Sequence, residues 1–262
     1  MSFVSSSHIT SSSGCKTESC EQQCLSLQLA LTSTQKRLAY QIRHDGYMSY
    51  NYITPREGNL FVDGYDGREN VKTVLVFKDG IAAATVRLCL FDTTGVFPDA
   101  SKIPAMEIFN HEIHELMSQM AQSGPATRAV EVSRMARAPA FSSDVDLIHA
   151  MFRAVGYLIL HFNADVVLNA CRPHHMPMYR RLGFQKLHEP RPYPNLTYEA
   201  GLMAYFRSEF GRATSRLSFL KGISAEDSVY HALFAGDEVV IPTRSPARPI
   251  PTPTPLAICE AA

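Results

Sequence analysis

The sequence has no net charge, no long apolar run and no glycine-rich phosphate loop, and each absence narrows what the chain can do. Its 25 Lys and Arg are matched by 25 Asp and Glu. Nucleic-acid binders usually carry a basic excess, so this balance argues against one. No stretch reaches the ~18 apolar residues that cross a bilayer. Residues 1–14 are Ser-rich and lack the basic patch and apolar core of a signal peptide. These absences predict a soluble, cytoplasmic protein with no integral membrane segment. The cysteines (Cys15, Cys20, Cys24, Cys89, Cys171 and Cys259) do not resemble the disulfide framework of a short secreted domain. Cys15, Cys20 and Cys24 have no fourth ligand at a metal-like spacing, so no metal is expected. What is present is a hydrophobic content of 45% against 19% charged residues, which excludes a chain too polar to fold. At 262 residues it can build one sizeable core or two modest ones.

The pattern along the chain predicts a disordered Ser-rich tail at 1–22, a folded domain at 23–206 and a helical extension at 207–240. A Pro-rich disordered tail follows at 241–262, with Pro242, Pro246, Pro249, Pro251, Pro253 and Pro255. Leu25, Leu27, Leu29 and Leu31 alternate strictly, the pattern of a half-buried strand. Thr32, Ser33 and Thr34 offer caps for a helix to about Gly46, with Leu38, Ala39 and Ile42 on its apolar face. A loop rich in Tyr, Gly and Asp runs to Asn70. Two strand-like runs, 71–78 and 81–91, meet at Asp79-Gly80, a strong hairpin signal. Further on come a helix at 107–121, a strand at 128–137 and a helix capped by Ser142, Ser143 or Asp144 and ending near Asn163. Residues 164–171 form a continuous apolar run, as in a strand buried on both faces. A short helix from Pro173 to Gly183 and strands at 184–187 and 199–206 complete the domain. The order describes a mixed α/β sheet with helices on both faces and no dinucleotide loop.

Three stretches carry chemistry. In 130–137, Val-Glu-Val-Ser-Arg-Met-Ala-Arg, regular alternation puts Glu131 and Ser133 on one face and Arg134 on the other. A bulge would bring Glu131 and Arg134 together; otherwise these are ordinary charges on an exposed strand edge. In 169–184, a buried strand leads into a short helix bearing Tyr179 and then Leu-Gly-Phe. Tyr179 reads equally as a reactive hydroxyl or as a cap on the core. The third stretch is 61–67, Phe-Val-Asp-Gly-Tyr-Asp-Gly, with Arg43 upstream and Arg87 downstream. His111 and His114 alternate with Glu112 and Glu115 in a metal-like way, but on a helix this reads as a surface face.

The 169–184 run resembles the end of the core of GNAT acyltransferases, in which the helix after the fifth strand packs beside the pantetheine arm and its Tyr protonates the departing thiolate. Arg43, Asp63 and Asp66, Arg87, and Glu131 with Arg134 fall in the order shared by acyl-homoserine-lactone (autoinducer) synthases, a branch of GNAT-like enzymes. The closer resemblance is to bacterial long-chain N-acyl amino acid synthases, through Pro104-Ala-Met-Glu-Ile-Phe109 and the Pro-His-His-x-x-x-Tyr-Arg-Arg-Leu-Gly-Phe run. The resemblance covers about residues 24–206. Autoinducer synthases usually have Trp in the segment after the first helix, and this chain has none.

The resemblance implies a GNAT-like fold with a splayed central sheet and an acyltransferase without a permanently bound cofactor. Its donor would be the 4′-phosphopantetheine thioester of an acyl carrier protein, or acyl-CoA, and its acceptor a free amino acid. CoA enzymes begin the helix after the fourth strand with a glycine-rich phosphate cradle. Here that place reads Ala138-Pro-Ala-Phe-Ser-Ser-Asp144, with no glycine and an acid, which favours the carrier protein. Aminolysis then assigns Glu131 as general base, Arg134 as its orienter, the backbone around Met135 as oxyanion donor and Tyr179 as acid. Arg43 and Arg87 are assigned to the acceptor carboxylate, and Asp63 and Asp66 to the amine or to ordering the loop. Ser133, Arg137, His174 and His175 complete the substrate-binding set. Residues 121–191 hold nine Lys and Arg against five acids. Arg153, Arg172, Arg180 and Arg181 in this stretch are assigned to a patch for the acidic carrier protein. An autoinducer synthase using S-adenosylmethionine and a non-catalytic thioester-binding protein are the alternatives.

Overall fold

The computed structural model describes residues 24–122 and 128–242. Its strands are β1 (Leu25–Leu29), β2 (Val71–Lys78), β3 (Ile81–Asp92), β4 (Arg128–Arg137), β5 (Val166–Cys171), β6 (Gln185–Pro192), β7 (Glu199–Phe206) and β8 (Val239–Ile241). Its α-helices are α1 (Ser33–Met48), α2 (Met106–Gln122), α3 (Val145–Phe162), α4 (Met176–Arg181), α5 (Phe210–Arg216) and α6 (Ser228–Ala235). The strands form one sheet in the order β6-β7-β5-β4-β3-β2-β1-β8. Every neighbouring pair is antiparallel except β4 and β5.

Local chemistry explains most of these boundaries. Thr32 opens α1 with a capping box: its hydroxyl accepts from the Gln35 backbone N–H, and the Gln35 side chain accepts from the Thr32 N–H. Asp79 and Gly80 both have positive φ, 51° and 76°, which a tight two-residue hairpin turn requires. Asp144 caps α3 by accepting from the Asp146 and Leu147 N–H groups, and Asn163 ends it in the left-handed conformation. Helix α3 is long and apolar enough to cross a membrane, but most of it is buried within this fold. It packs with α6 on one face of the sheet, against Val74, Val76, Leu88 and Val167. Helices α1 and α2 cover the other face, packing on Leu75 and on Cys89, Phe91 and Leu168 respectively.

Two irregularities shape the centre of the sheet. Strands β4 and β5 pair only from Ala129 to Glu131, against Val166 to Leu168, and then part. The Asn169 side chain reaches across the parting and donates to Val132 O at 2.8 Å. Within β4 the register with β3 jumps, so that Arg134 and Met135 together stand opposite Val86. Arg134 takes φ 51°, an uncommon left-handed conformation for a residue with a side chain, and this is the bulge the sequence admitted. Opposite it α1 comes very close: a Cβ on Gly46 would lie 2.6 Å from Arg137 O.

Some boundaries differ from the sequence reading. β1 is an interior strand rather than a half-buried one, because β8 pairs along its outer side. Residues 207–240 therefore do more than add helices, and Ile241 belongs to the sheet and not to a tail. β6 extends to Pro192, which an edge strand tolerates because its outer N–H groups have no ladder partner. The predicted tail at 1–22 and residues 243–262 of the second tail lie outside the described residues, as do Cys15, Cys20 and Cys259.

Candidate active site

The parting of β4 and β5 opens a cavity of about 280 Å³. One lip is β4 from Glu131 to Arg137; the other is the end of β5 with the turn into α4. Tyr47 in the last turn of α1, Tyr50 and Tyr52 just after it, and Tyr193 and Tyr198 between β6 and β7 close it from above. Thr197 ties these two loops together, its N–H donating to Tyr52 O (3.1 Å) and its hydroxyl to Asn51 O (2.6 Å).

Glu131 sits where the strands part and is 2% exposed. Its Oε2 accepts from the Ala105 N–H at 2.7 Å, a contact supplied by the segment before α2. Burial pushes the carboxyl up to about 7; the Ala105 N–H and the charges of Arg87 and Arg134 offset only part of that rise. A carboxylate so placed exchanges a proton near neutrality, as a general base must.

Beside it lies an ion cluster buried under the loop that follows α1. Arg87 binds Asp63 with both of its terminal nitrogens, at 2.6 and 3.0 Å, and Asp66 at 2.9 Å. Arg43 binds Asp66 at 2.8 Å and the Thr73 hydroxyl at 3.0 Å. Arg134 holds Asp63 through Nε (2.9 Å) and Nη2 (2.7 Å) and lies over the Phe61 ring. Burial alone would raise the Asp63 carboxyl, yet Arg87 and then Arg134 hold it well below the usual carboxylate range. Three guanidinium groups against two carboxylates leave one positive charge over, which favours the ionised form of Glu131.

The β5 lip is less tightly bonded. Tyr179 is 4% exposed and packs edge-on against Phe152 and Phe184. Burial raises its phenol well above the ordinary value, so it stays protonated. Arg172 sits over the Tyr52 ring, its Cζ 3.8 Å from the centroid, with Tyr198 at 5.4 Å. Its Nη2 is 3.2 Å from His175 Nε2. Burial, followed by Arg172 and His174, lowers His175 to about 4 and keeps it neutral. His174 is exposed against the face of this turn. Burial also pushes the Cys171 thiol up to about 12, so it is no nucleophile.

The structure brings most of the sequence-assigned residues together and changes several roles. Arg43 and Arg87 have no exposed surface and their charges are spent on Asp63 and Asp66, so they are not free to bind an acceptor carboxylate. Asp63 and Asp66 in turn order the loop rather than face an amine. Arg134 orients Asp63, not Glu131; the bulge turns it toward the loop. Ser133 accepts from Arg87 Nε at 3.2 Å, and Arg137 donates to Asp144 O at 2.8 Å; both line the cavity, as does Met135. Arg153 does not belong to a surface patch: it is buried, donating to Phe219 O, Lys221 O and the Tyr157 hydroxyl. Arg172 also leaves the patch for the cavity. Arg180 and Arg181 are exposed and, with Arg212 and Arg216, line a separate cavity between α4 and α5. His111 is exposed and Glu112 pairs with Arg191. Among the described residues no cluster of three or more His, Cys, Asp or Glu is placed to hold a metal.

Sequence reasoning missed Asn169, Ala105 and the tyrosine wall. Five tyrosines in the segments 47–52 and 193–198 were the available signal, but nothing local says that the two segments meet.

A mixed sheet splayed at its one parallel pair, with a bulged fourth strand and a Tyr on the helix after the fifth, defines the GNAT-like N-acyltransferases. The chain belongs to the N-acyl amino acid synthase FeeM family, whose model matches residues 38–205. The structure is similar to that of FeeM, an N-acyl amino acid synthase from uncultured soil microbes, with a TM-score of 0.59 at 15% identity, over 78% of this chain and 100% of that one. It is also similar to two CoA-dependent acyl-homoserine lactone synthases, MesI and BjaI. Each gives a TM-score of 0.50 at 16% identity, over 77% and 82% of this chain and 100% of theirs. At these identities the likeness speaks for the fold. The sequence matches no curated protein significantly.

Proposed function

We propose that this acyltransferase moves a long-chain fatty acyl group from the phosphopantetheine thioester of an acyl carrier protein to the amine of an amino acid. The observation that carries this reading is a buried carboxyl poised near pH 7, Glu131, facing a protonated Tyr179 across the splayed strands. Glu131 takes a proton from the ammonium or attacking amine, directly or through a water. The amine nitrogen bonds to the thioester carbon, and the resulting oxyanion meets N–H groups of β4 around Met135, where β5 no longer pairs. The C–S bond then breaks and the Tyr179 hydroxyl protonates the leaving thiolate. Met151 and Met178 line the same cavity and offer an apolar wall to the acyl chain.

The carrier protein is favoured as donor by the start of α3. In the family pattern that helix end holds a pyrophosphate, but here Asp144 itself accepts from the first free N–H groups and pairs with Lys78. A carrier protein presents only one phosphodiester and has less need of that cradle. Exposed Arg180, Arg181, Arg212 and Arg216 supply a basic surface for an acidic partner.

The test incubates the full chain with mixed amino acids and either palmitoyl-carrier protein or palmitoyl-CoA, with S-adenosylmethionine in a separate arm, and reads products by mass spectrometry. The reading expects an N-palmitoyl amino acid, formed with higher kcat/KM from the carrier protein. Absence of any N-acyl amino acid, or product only with S-adenosylmethionine, overturns it.

A further inference from the structure

We infer that Arg172 is the anchor for the acceptor's α-carboxylate and the residue that makes the enzyme select amino acids over simple amines. This inference rests on the amino-acid acceptor proposed above and assigns its recognition to a residue outside the catalytic set.

An amino acid brings a carboxylate into a cavity where water is scarce, and such a group needs a cationic partner with hydrogen bonds. The cavity and its surroundings hold five candidate guanidinium groups. Arg43 and Arg87 are fully buried, with no surface toward the cavity, and their terminal nitrogens are taken by Asp66, Asp63 and Thr73. Only the Arg43 Nε is left over, and it is sealed inside the ion cluster. Arg134 spends Nε and Nη2 on Asp63. Arg137 donates to the carbonyl of Asp144, beside the ion pair Lys78–Asp144 at the start of α3. Among the described residues neither Arg137 nor Arg172 pairs with a carboxylate, but Arg137 is engaged by the Asp144 carbonyl, whereas Arg172 meets no oxygen. Its Nη2 lies beside His175 and its Nη1 has no hydrogen-bond partner. An unmet donor in a half-buried guanidinium is costly unless a ligand meets it.

Its surroundings fit that use. The groups nearest Arg172 are uncharged: the Tyr52 ring 3.8 Å away, the Tyr198 ring set edge-on to it at 5.4 Å, and the neutral imidazole of His175 at Nη2. A cation over a tyrosine ring is held in place without being neutralised. The loops carrying Tyr52 and Tyr198 are tied together through Thr197, so the slot exists before ligand arrives. Arg172 stands directly after Cys171 at the end of β5, on the lip opposite Glu131, so an α-amino acid held there by its carboxylate presents its amine within the cleft. Burial lowers the affinity of this arginine for its proton, and the surrounding tyrosines offset only part of that, which agrees with a cation waiting for an anion.

The experiment compares the full chain with its Arg172→Met and Arg172→Lys variants, using alanine and alaninamide as acceptors. Arg172→Met keeps an apolar stem against the tyrosines, and thermal melting checks its folding. Loss of a charge-assisted pair should raise the KM for alanine by about 10- to 100-fold. The wild-type preference for alanine over alaninamide should then collapse, with donor KM unchanged; Arg172→Lys, which keeps the charge but not the fork, should fall between. An unchanged preference in Arg172→Met, or a change confined to donor KM, overturns the inference. Calorimetry with N-dodecanoyl-alanine and its methyl ester gives a readout independent of turnover. If the wild type prefers the acid and Arg172→Met does not, the anchor stands even if the transfer reaction fails. If the wild type binds acid and ester equally, the anchor is wrong whatever the reaction is.

Discussion

The two lips of the cleft are built on opposite principles. On the β4 side almost every charge is answered: Asp63 is clamped by Arg87 and Arg134, and Asp66 by Arg43 and Arg87. On the β5 side, Arg172 carries a buried nitrogen without a partner, His175 is neutral and Tyr179 is held by packing among aromatic rings. Buried ion networks rigidify when every member is satisfied, while unmet groups await a ligand. The contrast suggests a division of labour: β4 with its loop is a fixed frame that poises Glu131, and β5 with α4 is where substrate groups complete the bonding.

Five measurements can break or sharpen that contrast. The largest effect should come from Glu131→Gln, which keeps an oxygen for the Ala105 N–H but cannot accept a proton. Turnover should fall by about 10²–10⁴-fold without unfolding, and an active Glu131→Gln would remove Glu131 from the mechanism. Next, Asp63→Asn should cost about 3–5 kcal/mol of unfolding free energy, because it leaves Arg134 buried without its counter-charge and Arg87 and Arg43 sharing Asp66 alone. A denaturant titration that shows less than about 1 kcal/mol would mean that the β4 frame is not held by its ions.

A third effect separates function from stability at the same carboxyl. Glu131 is raised from 4.5 to about 7, so its contribution to stability is fully present below pH 4.5 and is lost as pH rises through about 7. Glu131→Gln should therefore melt above the wild type at pH 8, by on the order of 3 kcal/mol at most, and the gap should close by pH 4.5. Fourth, Tyr179→Phe should slow turnover by about 10- to 100-fold, the low end for a positioned acid, since a thiolate leaves more readily than an amine. A rate equal to wild type would leave Tyr179 with its packing role alone. The smallest effect belongs to Arg180→Glu with Arg181→Glu, which should raise the carrier-protein KM several-fold and do so less at high salt. An unchanged KM would move the docking surface elsewhere.

How much of this the sequence disclosed depends on how local the chemistry was. The hairpin at Asp79-Gly80, the cap at Asp144 and the alternation in β1 follow from residues within a turn of one another, and they were legible. So was the membership of the site: Arg43, Asp63, Asp66, Arg87, Glu131 and Arg134 are neighbours in space. Who binds whom was not. The pairs join residues 23, 24 and 71 positions apart, and their partition follows from the bulge at Arg134, which periodicity alone cannot place. Arg172 and Arg153 read as surface charges because arginine usually is one. Only the arrival of Tyr52 and Tyr198 draws the first into the cleft, half-buried, and only that of Phe219 and Asp227 buries the second. Strand β8, three residues before a proline, was too short to read.

The close approach of α1 to β4 carries a lesson about how such a site can drift. At Gly46 the helix touches the strand's carbonyl, and 2.6 Å is nearly an ångström short of ordinary van der Waals contact for an added carbon. Substituting alanine there means displacing a helix, and with it the tyrosines at 47, 50 and 52 that roof the cleft. The bore of the cleft is thus set by a missing methyl group some way from any reacting atom. Selection for bulkier substrates has a single-residue dial to turn, but the same helix carries Arg43, so turning it also pulls on the ion frame beneath the loop.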